Sequence, residues 1–379
     1  MKKKLLAALL LALSLLLGAC SNYVEIEELM IVAGAAIDYD EASGAYNVTA
    51  EILDLQNSSG QESSYEPTYI ESSGASLVEA ITHMRRIAGR QLYWGHASVF
   101  ILSQSVVSHS IEPVLDWFMR DVNARLSSMV VISGTEKASD IYKLKSPVKK
   151  SISISLEQIL ENYQKKGQTT VNVNELVNLY SMTGTATCIP IVNSEMNAEE
   201  EIIVIHSYAV LKKDILSGIF EHEDVTYLML LLKNPMESII SVKLPEFETE
   251  IKMQTLEHTV QLDVSCQDGV VFTDVNLSIS MSVVGGSGDD EKVRDMDGTK
   301  ILVDATEEMV SSACGQILDK DIQQYGADIL GVGQHIKRND PKTWRKIEKN
   351  WDQLYKEMQY EINVEVVIEK SGEMSPIND

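Results

Sequence analysis

The chain is short of cysteine, aromatic residues and positive charge, and each shortage closes off a class of function. Four cysteines in 379 residues are too few for an exported scaffold built on disulfides. Beyond Cys20 they are Cys188, Cys266 and Cys314, an odd number without close spacing. They read as small buried hydrophobes, and no zinc-ligand spacing occurs. Lysine and arginine total 32 against 56 aspartate and glutamate, a formal charge of −24. Such a surface repels phosphate backbones within a Debye length, so no nucleic-acid partner is expected. After the first twenty residues no apolar run is long enough to span a bilayer; the longest, Leu228 to Leu232, reads as a core element. Gly-x-Ser-x-Gly and His-Glu-x-x-His are both missing. No catalytic residue, cofactor or metal is assigned, and the chain does not read as an enzyme.

What is present begins at the N-terminus, with Lys2-Lys3-Lys4, an apolar run from Leu5 to Leu17, and then Gly18-Ala19-Cys20. A basic start before a short apolar stretch reads as an export signal. Leu17 sits where ordinary signal peptidase prefers a small residue, whereas Leu17-Gly18-Ala19-Cys20 resembles the bacterial lipobox. In that motif the cysteine thiol receives diacylglycerol and becomes the new N-terminus. Buried acyl chains contribute about 0.8 kcal/mol per methylene, so two chains hold firmly where one holds marginally. Residues 1–19 are therefore expected to be a lipoprotein signal peptide, with Cys20 lipidated and the remainder on the outer face of a membrane.

The pattern beyond Cys20 is α+β and multi-domain, with mixed and antiparallel sheets each covered by helices. Glu28 to Asp38 reads as a buried strand, Tyr46 to Ile52 alternates as its partner should, and Tyr39 to Ala45 supplies the turn. Gln56 to Ser76, rich in Ser, Gly, Gln and Glu, reads as an exposed loop. Leu77, Ile81, Met84 and Ala88 recur at helical spacing. His96 to Leu102 and Ser128 to Ile132 read as strands, Val114 to Met119 as a helix, and Ser155 to Tyr180 as helical. The acidic stretch Asn193 to Glu201 is the expected boundary, dividing an N-terminal domain of residues 20–198 from a C-terminal one of 199–379, with a possible subdivision near 245–250. In the second part Val271 to Val283 alternates strictly, Ile251 to Val264 is its expected neighbour, and Gly285 to Gly298 is a loop. A helical stripe follows through Ile301, Ala305, Met309, Ala313 and Ile317. Asp340-Pro341 should start another helix lined by Trp344, Ile347, Trp351, Leu354 and Met358. Ile362 to Ile368 closes the chain as a strand.

Several clusters invite a chemical reading and are better explained structurally. Nothing in the sequence brings Cys188 together with His206 or His96. Glu221 to Asp224, and Asp289-Asp290-Glu291 with Asp295 and Asp297, lack the ligand spacing of a calcium loop. Gly331-Val332-Gly333 lacks the third glycine of a dinucleotide site and reads as a bend where backbone meets backbone. Lys337, Arg338, Lys342, Arg345, Lys346 and Lys349 form a basic group suited to lipid phosphates or an acidic partner. Exposed residues between Arg85 and Arg125 are the other contact candidates, which gives a partner-binding set of Arg90, His96, Arg120, Asp121, Arg125, Arg338 and Arg345.

In order along the chain stand Glu25-Ile26-x-x-Leu29, Gly34-x-x-Ile37-Asp38, Gly89-Arg90-x-Leu92-x-x-Gly95-His96, and Asp116-Trp117-Phe118-x-Arg120-Asp121 leading to Arg125. Tyr208-Ala209-Val210 follows, then Ala327-Asp328-Ile329-x-Gly331-x-Gly333, Pro341-x-x-Trp344, Trp351 and the closing strand. This series resembles the Ger(x)C family of spore germination lipoproteins, over nearly the whole chain. Two positions depart from it: Ser21-Asn22 stands where the family has Trp-Asp, and Val332 where it has Phe. The resemblance implies a peripheral, non-enzymatic C subunit of a nutrient germinant receptor. It would be anchored through diacylglycerol to the outer surface of the spore inner membrane and assembled with integral membrane A-type and B-type subunits. It would serve receptor assembly and transmission of the germination signal. An extracytoplasmic solute-binding lipoprotein, with two lobes around a ligand cleft, is the alternative; an envelope hydrolase would need a nucleophile or clustered acids.

Overall fold

A computed structural model describes residues 29–53, 67–121, 123–146, 150–198, 200–232, 238–287 and 296–369. The signal segment, Cys20, Glu25-Ile26, the departure at Ser21-Asn22 and the acidic run from Asp289 to Asp295 all lie outside these residues.

The first half is built on a sheet whose middle is parallel. Strand β1 (Leu29–Asp40) pairs antiparallel with β2 (Ala45–Leu53) through the expected turn. β3 (Pro67–Gly74) continues the sheet beyond β2. Here the loop expected over Gln56 to Ser76 is corrected, because its last part is an edge strand. Its polar residues face water while Ile70 is buried, an arrangement that an edge tolerates. Helix α1 (Leu77–Ala88) buries Leu77, Ala80, Ile81 and Met84, is capped by Ser76 and stops at Gly89 in the left-handed region (φ 64°). β4 (Gln91–Tyr93) and β5 (Val99–Leu102) then pair parallel to β1. His96 falls in the tight turn Trp94–His96 before β5, outside the strand expected to include it.

Helices α2 (Gln104–His109) and α3 (Glu112–Arg120) lead to β6 (Met129–Ser133), parallel to β5. The helical pattern over Ser155 to Tyr180 is two helices, α4 (Ile152–Lys165) and α5 (Val173–Tyr180), separated by the short β7 (Val171–Asn172). The N-terminus of α4 is capped from β2. Buried Glu51 accepts from the backbone N–H groups of Ile152 (2.9 Å) and Ser153 (2.8 Å) and from Ser151 Oγ (3.0 Å). β8 (Thr187–Asn197), β9 (Glu200–Lys212) and β10 (Ile215–Phe220) complete the sheet in the order β10-β9-β8-β6-β5-β1-β2-β3. The acidic stretch Asn193 to Glu201 thus occupies the tip of the β8–β9 hairpin, and the chain leaves this sheet after Phe220.

The second half opens with α6 (His222–Leu231), whose Leu228 to Leu231 are buried as expected of a core element. β11 (Ile239–Leu244), β12 (Thr249–Gln267) and β13 (Val270–Ser287) are antiparallel neighbours, while β14 (Gln359–Ile368) returns parallel to β13. The long helix α7 (Met296–Asp319) crosses between them. Its most buried line is Leu302, Thr306, Val310 and Cys314, turned by one residue from the expected stripe, whose Ile301, Ala305 and Met309 flank the core, while Ile317 is buried as expected. The sequence misplaces this line because Thr306, which donates to the Leu302 carbonyl at 2.6 Å, is polar.

A π-helical turn (Lys320–Tyr325) follows α7. Three short helices then form, α8 (Val332–Asn339), α9 (Pro341–Ile347) and α10 (Trp351–Lys356). Asp340 caps α9 as expected, accepting from the N–H groups of Lys342 and Thr343. One apolar core joins the halves, since Cys188, Tyr208, Val210 and Phe220 of the first sheet pack with the second sheet and its helices.

Candidate functional site

Strands β1, β4, β5 and β6 run parallel and begin at one end of the first sheet. Leu29 pairs with Gln91, Gly34 with Val99, and Val99 with Met129. The chain enters the fold at this end. α1 also finishes here, because Gly89-Arg90 leads straight into β4, and the 121–128 segment lies here because it leads into β6. Five of the seven contact candidates, Arg90, His96, Arg120, Asp121 and Arg125, are therefore brought to one rim.

Their charges are arranged in pairs. Arg85 Nη2 lies 3.4 Å from Asp121 Oδ2, Arg120 Nε is 2.8 Å from both Asp116 oxygens, and Arg125 Nη1 is 3.8 Å from Glu157. Burial pushes the Glu157 carboxyl up, and Arg125 partly opposes the shift. Such exposed pairs contribute roughly 0–1 kcal/mol each, so they set the shape of the rim more than its stability. Its rigidity comes from the rings beneath. Trp94 meets Trp117 edge-on at 5.2 Å and Phe100 meets Phe118 at 4.6 Å, all four buried.

The remaining candidates, Arg338 and Arg345, sit apart on the second half. They occupy the last turns of α8 and α9 with Lys337 and Lys346 beside them, and all four are exposed. Cations at helix C-termini complement the helix dipole.

A buried polar joint, only partly visible in the sequence, links the halves. Asp328 accepts from the N–H groups of Val332 (2.8 Å) and Gly333 (2.7 Å), and its carbonyl accepts from Ala186 N at 2.9 Å. Gly333 lies against Gly184, where an added Cβ would stand 2.9 Å from the Gly184 Cα and oxygen. The Gly331-Val332-Gly333 bend is thus a close approach of two backbones. Burial pushes the Asp328 carboxyl up to about 7 against the pull of those N–H groups. Asp321, fully buried in the π-helical turn, accepts from the Tyr355 hydroxyl, and burial holds its carboxyl well above the usual range. Its Oδ1 has no hydrogen-bond partner among the described residues. A cavity of about 10 Å³ beside Asp328, Trp351, Tyr355 and Lys212 is water-sized at most. The Asp328 motif is legible in the sequence; Asp321 is not, since no residue pattern marks a π-turn.

The other candidates stay apart or structural. Cys188 and Cys314 are buried free thiols pushed up by burial, Cys314 to about 12, and Cys266 is half-buried and free. Asp224 pairs with Lys320 at 2.7 Å. No cluster of three or more potential metal ligands occurs among the described residues. No helix among them is long and apolar enough to cross a membrane.

Residues 22–194 match the family described as "Spore germination protein N-terminal domain", and residues 206–372 match "Spore germination B3/ GerAC like, C-terminal". Among curated relatives, spore germination protein KC of Bacillus subtilis (strain 168) is 20% identical, over 98% of this chain and 96% of its own. Spore germination protein A3 of the same organism is 23% identical, over 93% of this chain and 94% of its own. The crystal structure of the GerBC protein superposes with a TM-score of 0.59 at 17% identity, covering 88% of this chain and 96% of that one, which establishes the shared fold. With both halves matched in order, the chain belongs to the GerAC-like family of spore germination proteins.

Proposed function

We propose that this protein is a C-type subunit of a spore nutrient germinant receptor, working by assembly and signal transmission without catalysis. The observation that carries the reading is the pair of family matches, which together span both halves of the fold in order. Relatives of nearly the same length bear the names spore germination protein KC, B3 and A3. On this reading diacylglycerol at Cys20 holds the chain on the outer surface of the spore inner membrane, beside integral A-type and B-type subunits. Confinement to two dimensions raises its effective concentration near those partners. The two contact surfaces proposed, for the membrane or for those subunits, are the rim of Arg90, His96, Arg120, Asp121 and Arg125, and the helix ends carrying Arg338 and Arg345.

The test is dipicolinic acid release from spores lacking the gene, across a panel of nutrients, with a receptor-independent trigger as control. Loss of response to particular nutrients with the control intact is expected, and Cys20→Ala should reproduce it. An unchanged response to every nutrient in a strain without redundant receptors would overturn the reading.

A further inference from the structure

The end of the first sheet where the chain enters the fold carries exposed apolar side chains beside exposed arginines. Ile87, in the last turn of α1, is 62% exposed, and Leu126, in the segment before β6, is 42% exposed. The ion pair of Arg85 with Asp121 ties these two elements together. Arg86 and Arg90 flank Ile87, are exposed, and have no carboxylate partner among the described residues. The nearby carboxylates of Asp116, Asp121 and Glu157 each face an arginine instead. On a chain of charge −24 this is a locally basic and apolar lip.

Its position says what covers it. Leu29 pairs with Gln91, the residue after Arg90, so the lip adjoins the point where the chain emerges. Eight residues lie between Cys20 and Leu29, and the nine steps from one to the other, fully extended, reach at most about 32 Å. We propose that the lip of Arg86, Ile87, Arg90 and Leu126 rests on an anionic lipid surface, with the two apolar side chains at headgroup level and the two arginines on lipid phosphates. This deepens the anchored-subunit reading and rests on lipidation at Cys20. The acyl chains supply the attachment, and the lip sets the orientation by turning its two arginines toward the bilayer.

The test uses the full lipidated chain in a Cys266→Ser background, with nitroxide labels placed in turn at Ile87→Cys, Leu126→Cys and, as control, Ala42→Cys in the hairpin turn at the far end of β1. Each is reconstituted in phosphatidylcholine vesicles with and without phosphatidylglycerol. Labels at 87 and 126 should become accessible to oxygen and shielded from an aqueous nickel complex, more so with phosphatidylglycerol, while the label at 42 stays in water. Arg86→Glu with Arg90→Glu should abolish the phosphatidylglycerol effect. Equal aqueous access at all three labels overturns the proposal, as does immobilisation only after the integral subunits are added, which would make the lip a protein contact. The mass of the extracted chain separates the two readings. A chain without diacylglycerol removes the anchor and the proposed orientation together, whereas a lipidated chain with water-exposed labels removes the orientation alone.

Discussion

At the scale of single residues, the buried carboxyls of the joint govern how stability depends on pH. A carboxyl whose folded value lies above its unfolded one holds its proton more tightly in the native state. The stability it contributes is complete below the unfolded value near 4 and is lost as pH rises toward the folded value, here about 7 for Asp328. Asp321 shifts in the same direction, through burial first, with the Tyr355 hydroxyl opposing. Thermal midpoints should therefore fall between pH 4 and pH 7 beyond what the other carboxyls explain. Asp328→Asn should flatten that slope, because the amide does not titrate, while lowering the midpoint at pH 4 through the lost acceptor for Val332 or Gly333. A midpoint profile parallel to wild type would show that Asp328 titrates alike in both states.

At the scale of elements, Glu51 shows how one strand side chain decides where a helix can begin. The first N–H groups of a helix have no partner within it, and a carboxylate placed there satisfies them and complements the dipole. Glu51 does this from β2 for α4, a hundred residues away in sequence. Glu51→Ala leaves buried donors unmet at a cost of about 1–3 kcal/mol, and Glu51→Gln should recover part of the loss because one oxygen still accepts. Denaturant midpoints of the two variants check this; equal losses would mean that the charge, not the acceptor, matters. Such long-range capping was not legible in the sequence, where Glu51 is one acid in an alternating strand. The strands and helices with strong periodicity were legible: β1 with β2, α1, β13 and the Asp340 cap. Elements whose existence depends on a neighbour were not, namely β3, recruited to an edge despite its polar residues, and the split of α4 from α5 by β7. Among the site residues, the sequence singled out Arg90 to Arg125 as a group without showing that parallel strand starts gather them at one rim. Ile87 and Leu126 were not singled out, because a lone exposed apolar residue has no pattern.

At the scale of the whole molecule, the two halves share too much to behave as beads on a string. Phe220 and Tyr208 belong by hydrogen bonding to the first sheet, yet are buried in the core of the second half. Tyr325 stacks edge-on with Phe220 at 5.2 Å and donates to the Ile219 carbonyl at 2.7 Å. A core common to both halves couples their unfolding. Gly333→Ala tests that coupling where the backbones touch. Its Cβ would press on Gly184 and on the Trp351 ring, each at 2.9 Å. Overpacking of this kind costs about 1–3 kcal/mol. Because the joint belongs to both halves, the expected outcome in calorimetry is one transition moved bodily to lower temperature, with β-sheet and tryptophan signals lost together. Two separated transitions, with the first sheet melting at its original temperature, would show that the shared core does not bind the halves into one cooperative unit.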